Sequence, residues 1–274
     1  MDNKFKKLKS LLNDMGSVLL AYSGGVDSTF LLKIAKDTIK GNVLAVTSSS
    51  PTFPAEELEF SKKMAKAMGV RHRIIKTREL SNKFFFSNPS KRCYFCKKEL
   101  FSRLKLIAKS EKIKFVIDAS NLSDKDDFRP GDRAKRELNI RSPLQETGFS
   151  KEDVRNLSRK LGLITWNKPS LACLASRIPY GMRISSGVLK RVSRAELFLK
   201  KLGFSQVRVR HYGSLCRIEL LKKDLPAAVD KAGLIVKELK KIGYNYVTLD
   251  LQGYRQGSMN ISRFTEKRER TNKK

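Results

Sequence analysis

Apolar residues gather in short unbroken runs, and between the runs they fall at helical spacing. Val18 to Ala21, Asn42 to Thr47 and Phe115 to Ala119 read as strands buried on both faces, and Arg71 to Lys76 as a more polar strand. Helices are expected from Phe5 to Leu12 and onward from Thr29 to Ala35. A further helix, Glu56 to Met68, carries Leu58, Ser61, Ala65 and Met68 on one side and stops at Gly69. Lys151 to Leu161, with Val154, Leu157, Ser158 and Leu161 facing one way, ends at Gly162. Strands alternating with helices predict an α/β fold with a doubly wound, mostly parallel sheet and right-handed crossovers. From Trp166 to Gly181 the composition is mixed, with two prolines and no period, which marks a domain junction. Beyond it a helix (Ser186 to Leu202) precedes strands Gln206 to Tyr212 and Leu215 to Leu221, joined at Gly213-Ser214. A helix (Pro226 to Ile242) and a strand (Tyr246 to Leu251) complete a second, smaller α+β domain. The expected divisions are 1–167, 168–264 and a basic, disordered tail, 265–274.

The chain has 274 residues, enough for one large or two ordinary domains. Lysine and arginine number 58 against 27 acidic residues, a net charge of +31 that favours anionic partners. The lysines are dispersed along helix faces and no interleaved aromatics accompany them, so nucleic acid is left open by charge without being the expected partner. No apolar run approaches the roughly 18 to 20 residues of a membrane span, and Met1 to Ser10 lacks a signal-peptide core. A cytoplasmic protein with no membrane partner is expected.

The first apolar run leads into Ser23-Gly24-Gly25-Val26-Asp27-Ser28 and then a helix. Gly24 and Gly25 allow a tight turn close to a polyanion, Ser28 is placed to cap the helix, and the first helical N–H groups are free to face phosphate oxygens. A Walker loop would carry Lys where Asp27 stands. A carboxylate beside phosphates makes sense as a holder of Mg²⁺. Ser48-Ser49-Ser50-Pro51 follows the second strand, where a nucleotide base or ribose would lie, although an ordinary turn fits equally. The polar stretch from Ser120 to Gly131 also follows a strand. Its Asp124 and Asp127 are candidates for Mg²⁺ and Arg129 for phosphate, with solvated loop charges as the plainer reading. The six-residue loop resembles the signature of the pyrophosphate-loop ATPases. That resemblance implies cleavage of ATP to AMP and pyrophosphate, with AMP activating a carboxyl or carbonyl oxygen.

Four cysteines without a secretory context fit metal or redox chemistry better than disulfides. Cys93-x-x-Cys96 opens a helix among basic neighbours, a setting that favours thiolate ligation. Cys173 lies in the junction, and three thiolates leave a zinc or iron-sulfur site one ligand short. A structural zinc completed by His72 or His211, and dithiol redox activity, remain alternatives. Cys216, in an alternating strand, reads as a small core residue.

Several stretches together resemble the LarE family of sulfur transferases across nearly the whole chain. They are the Ser23 to Ser28 loop, Asn121 with Asp127 to Gly131, Arg141 to Leu144, and Lys168-Pro169 through Cys173 to Gly181. Val207 to His211, Arg217 to Glu219, and Thr248 to Asn260 complete the match. The resemblance implies ATP bound at Ser23, Gly24, Gly25, Val26, Asp27 and Ser28, with Ser48, Asn121 and Asp127. It also implies adenylation of a carboxylate of pyridinium-3,5-biscarboxylate mononucleotide, followed by conversion to a thiocarboxylate. Some family members sacrifice the sulfur of a single cysteine matching Cys173. Others hold a [4Fe-4S] cluster on three cysteines, and the presence of Cys93, Cys96 and Cys173 implies that type. Arg129, Ser176, Arg177, Arg183, Arg208, Glu219 and Arg255 are the expected substrate-binding set, the arginines suiting phosphate and carboxylates. A small nucleotide, sulfide or another sulfur donor, and a homo-oligomer are the expected partners. The rivals are a tRNA thiolase using the same loop and cluster, which predicts an RNA-binding appendage, and a basic RNA-binding protein with a structural zinc.

Overall fold

Alternate residues of the buried strands point to two different cores, as the unbroken apolar runs require. Val18 and Leu20, Val43 and Ala45, and Ile117 join one cluster; Leu19, Leu44 and Val46, and Val116 join the other. The computed structural model describes residues 2–124, 129–169, 172–255 and 257–260. The chain divides into two units, 1–171 and 172–274. Asp127 and the tail 265–274 lie outside the described residues.

In the first unit, strands β1 (Val18–Ala21), β2 (Val43–Ser49), β3 (Arg71–Lys76) and β4 (Phe115–Ile117) form a parallel sheet in the order β3-β2-β1-β4. Helices Val26–Thr38 and Ala55–Ala67 carry the chain outward to β2 and β3 and pack with Asp2–Met15 on one face. The chain then turns back past β1, and its crossover helix, Arg92–Ser110, packs on the other face through Phe101, Leu104 and Ala108. Right-handed crossovers demand this change of face when the direction reverses. The reversal sets the carboxyl ends of β1 and β4 side by side, the place where open α/β sheets bind ligands. β4 ends earlier than the sequence suggests because Asp118 leaves the ladder to accept hydrogen bonds from Ser142 Oγ (2.6 Å) and Ser120 Oγ (2.7 Å).

The second unit holds β5 (Val207–Tyr212), antiparallel to β6 (Leu215–Leu220), with β7 (Tyr246–Leu249) parallel to β6. The single helix expected from Pro226 to Ile242 is two, Leu225–Asp230 and Ala232–Ile242, with the poor helix former Gly233 just after the break. Val207, Val209, Cys216, Ile218 and Leu220 pack on helices Ser186–Lys201 and Ala232–Ile242. The opposite side chains of β5 and β6 are charged, and they too are buried: Arg208, Arg210 and Glu219. Glu219 accepts from Arg210 Nη2 (2.7 Å), Ser258 Oγ (2.9 Å) and Arg217 Nη2 (3.1 Å). Arg177 gives Nε and Nη2 to Glu196 at 2.8 and 2.9 Å, and Glu196 also accepts the Val209 N–H.

Two tests follow from these enclosed charges. Glu196→Ala leaves the Arg177 guanidinium buried without its partner and should lower stability by about 3–5 kcal/mol, whereas Arg177→Met with Glu196→Leu should lose much less. Urea unfolding followed by circular dichroism checks both, and a loss below about 1 kcal/mol for Glu196→Ala contradicts the account. For Glu219, burial raises the carboxyl, but the hydrogen bonds and charge of Arg210, with Ser258 and Arg217, outweigh it and hold the group below its usual range. Its stabilisation is therefore complete above the unfolded value, about pH 4.3, and is lost as pH falls through the lower folded value. Glu219→Gln should flatten that part of the stability–pH curve.

Candidate functional site

Gly24 takes φ +69, and a Cβ there would stand 3.1 Å from Ser61 Cβ and 3.2 Å from Ser61 Cα. Both the turn and the close approach to helix Ala55–Ala67 therefore require glycine. Ser28 is not the helix cap that the sequence suggests. The N-cap is Gly25, without a side-chain cap, and helix Val26–Thr38 begins two residues before Ser28. Ser28 Oγ instead lies 3.2 Å from the Gly25 carbonyl and 3.1 Å from Ser23 Oγ, bracing the loop across its mouth. The first N–H groups of the helix are thus left for an anion.

Asp27, in the first helical turn, collects groups from distant parts of the chain. Asn121 Nδ2 donates to its Oδ1 at 3.0 Å, and Lys151 Nζ forms an ion pair with its Oδ2. Asn121 is held in turn, its carbonyl accepting from Gln145 Nε2 (3.0 Å) and its N–H donating to Asp124 Oδ2 (2.9 Å). Asn121 Oδ1 is buried with no hydrogen-bond partner among the described residues. An unanswered oxygen beside a carboxylate is the hard donor chemistry that suits Mg²⁺. Arg129, the candidate for phosphate, forms an ion pair with Asp124 at 2.6 Å. Burial raises the Asp124 carboxyl above its usual range, against the pull of Asn121 and Arg129. Ser48 is half-buried at the carboxyl end of β2, bonded to Thr77 Oγ1 at 2.7 Å.

Sequence reasoning passed over Lys151 and treated Lys168 only as part of a matching stretch. Lys168 Nζ reaches Glu57 (2.6 Å) and the Gly24 carbonyl (3.2 Å), and it sits 3.5 Å over the Phe60 ring. The one advance signal was Lys168-Pro169, a basic residue held in extended backbone by the following proline.

The cysteines divide between the units. Cys93 is exposed and Cys96 half-buried, one turn apart on helix Arg92–Ser110, while Cys173 is exposed in the second unit. Two soft sulfur donors on one helical turn fit an iron-sulfur or zinc centre in kind. Among the described residues no group of three or more His, Cys, Asp or Glu stands ready to hold a metal ion. His72 Nε2 lies 2.8 Å from Thr47 Oγ1, and His211 is buried with Nδ1 3.3 Å from Tyr244 OH, so each ring has a hydrogen-bonding neighbour of its own. Cys216 is in the core as its strand pattern suggests, its thiol pushed up to about 12 by burial.

Arg177, expected to bind substrate, is committed within the protein. Besides Glu196, it donates from Nη1 to the carbonyls of Ala172 (2.7 Å) and Cys173 (3.1 Å) and to Ser176 Oγ (3.0 Å), clamping the turn that carries Cys173. Arg208 lies over the Tyr254 ring, and burial together with the neighbouring Arg177 pushes its guanidinium below the usual arginine range. Arg210 Nε is buried with no acceptor among the described residues. Ser176 is half-buried, and Arg183 and Arg255 are exposed.

The family model described as NAD synthase matches residues 3–118, the stretch that contains β1 to β4 and the phosphate loop. An uncharacterized protein of Synechocystis sp. is 42% identical over 95% of this chain and 98% of its own length. An uncharacterized protein of Methanocaldococcus jannaschii is 29% identical over 91% of this chain and 98% of its own. The pyridinium-3,5-bisthiocarboxylic acid mononucleotide synthase of Lactiplantibacillus plantarum is 37% identical, with 92% of each chain covered. A likeness of that extent takes in both units, and by it this chain belongs to the LarE family, that of the bisthiocarboxylic acid mononucleotide synthase.

Proposed function

We propose that the protein is an ATP-dependent sulfur transferase that converts a carboxylate of pyridinium-3,5-biscarboxylate mononucleotide into a thiocarboxylate. The observation that carries the reading is Asp27, in an uncapped helical turn after the glycine loop, with Asn121 and Lys151 gathered on it. The glycine loop and the first N–H groups of helix Val26–Thr38 bind the phosphates of ATP. Asp27 and Asn121 would hold Mg²⁺, which would neutralise phosphate charge, and Lys151 and Lys168 add positive charge beside the departing pyrophosphate. A carboxylate oxygen of the substrate attacks the α-phosphorus, pyrophosphate leaves, and AMP becomes the leaving group that a bare carboxylate lacks.

In the second unit Arg208, Arg210 and Glu219 are buried on the face of β5 and β6 opposite the apolar core, and Arg177 is buried against Glu196. That face, with Arg183 and Arg255 at the surface, binds the phosphate and carboxylates of the substrate. Arg177 acts by fixing the backbone around Cys173. Cys93, Cys96 and Cys173 would hold a [4Fe-4S] cluster, which when bound would supply sulfide-level sulfur to the activated carboxyl carbon, with AMP as the leaving group.

Asp27→Asn should lower substrate-dependent pyrophosphate release about 100-fold or more with little change in melting temperature, since the residue borders solvent and supports no core. Full activity in that variant would overturn the role given to the loop.

The cysteines separate three mechanisms by pattern. Replacing Cys93, Cys96 or Cys173 singly by Ala should abolish both iron binding and sulfur transfer, whereas Cys216→Ala should cost only packing. A sacrificial mechanism instead leaves the Cys93 and Cys96 variants active and shows dehydroalanine at Cys173 by mass spectrometry after one turnover. A structural zinc lowers stability on loss of Cys93 or Cys96, because metal binding is then coupled to folding.

A further inference from the structure

Beyond the phosphate loop, the carboxyl edge of the sheet carries a buried acid that none of the steps above uses. Glu79 follows β3 in the short turn Glu79–Ser81 and is 3% exposed. Its Oε1 accepts from Thr52 Oγ1 at 2.8 Å, and Thr52 lies in the loop after β2, where Ser50 Oγ is 2.8 Å from its hydroxyl. Its Oε2 is buried with no hydrogen-bond partner among the described residues. A buried carboxylate oxygen without a donor is costly, and a donor from outside the protein would answer it.

The position narrows which donor. β1, β2 and β3 are adjacent and parallel, so at about 4.8 Å per strand the carboxyl ends of β1 and β3 stand about 10 Å apart, with the phosphate loop following the first and Glu79 the second. A nucleoside reaching from phosphates over β1 toward β3 spans such a distance and brings its base there, over the hydroxyls of Ser48, Thr77 and Thr52. Of the two common purines, adenine presents an amine at its 6-position and guanine a carbonyl oxygen. Facing an acceptor with no proton of its own to give, the amine is bonded and the carbonyl repelled.

We propose that Glu79, held by Thr52, is the residue that selects adenine, its Oε2 accepting a hydrogen bond from the exocyclic amine of the bound nucleotide. The inference rests on the ATP reading of the loop and adds to it the group that chooses the base.

Equilibrium binding to the full-length protein tests it with four probes: ATP, GTP, 2′-deoxy-ATP, and purine riboside triphosphate, which lacks the amine. ATP should bind about 10- to 100-fold more tightly than purine riboside triphosphate or GTP, the range of one hydrogen bond to a charged group, and 2′-deoxy-ATP should bind nearly as ATP does. Glu79→Gln, which offers an amide donor, should raise GTP affinity relative to ATP about 10-fold. Thr52→Val should weaken ATP alone, with circular dichroism confirming that both variants are folded. Equal affinity of the unaltered protein for ATP and purine riboside triphosphate overturns the proposal, and this arm needs no variant. Loss of affinity confined to 2′-deoxy-ATP overturns it as well, by assigning the orphan oxygen to the ribose. Failure to bind any of the four nucleotides is a different result, one that removes the ATP reading itself.

Discussion

A carboxylate in the first turn of a helix, beside a loop shaped for anions, repels what the loop attracts unless positive charge or a metal ion answers it. Asp27 meets this constraint through Asn121 and Lys151, which lie 94 and 124 residues away in the chain. They reach it because the order of strands reverses after β3 and brings β4 against β1. The loop after β4 is then fastened from beneath: Asp118 accepts from Ser120 and Ser142, and Lys135 Nζ lies 3.0 Å from Ser120 Oγ. Helix Gly131–Glu137, which supplies Lys135, packs on the turn that bears the dithiol. A Cβ on Gly131 would come within 2.9 Å of Lys97 Cγ and 3.7 Å of the Cys93 carbonyl. Nucleotide loop and dithiol thus share one continuous scaffold inside the first unit.

The second unit solves a different problem with a three-stranded sheet. One face is an ordinary apolar core, whereas the other buries arginines and glutamates, a costly arrangement unless every charge is met. Glu219 is met by Arg210, Arg217 and Ser258, and Glu196 by Arg177 and the Val209 N–H.

How much of this was legible in the sequence depends on the range of the interaction. Strands buried on both faces stand out as unbroken apolar runs, so β1, β2 and the glycine loop could be read directly. Charged partners could not. Lys168 meets Glu57 across 111 residues, and nothing local to either marks the pairing. The stretch from Ser120 to Gly131 read as irregular because its short turn, Leu122–Asp124, is shaped by side-chain contacts with Gln145 and Arg129, partners outside the turn itself. Arg177 was legible as an arginine near the cysteine, but not as a buried one. Its partner Glu196 looks like a surface residue until helix Ser186–Lys201 turns it inward.

The Arg177 clamp holds its neighbours by their peptide oxygens. Its bonds at Ala172 and Cys173 go to main-chain carbonyls, so this fastening does not depend on what the Cys173 side chain carries. A change at the Cys173 side chain therefore leaves both of these bonds in place, and the turn is held by its main chain whatever the thiol meets.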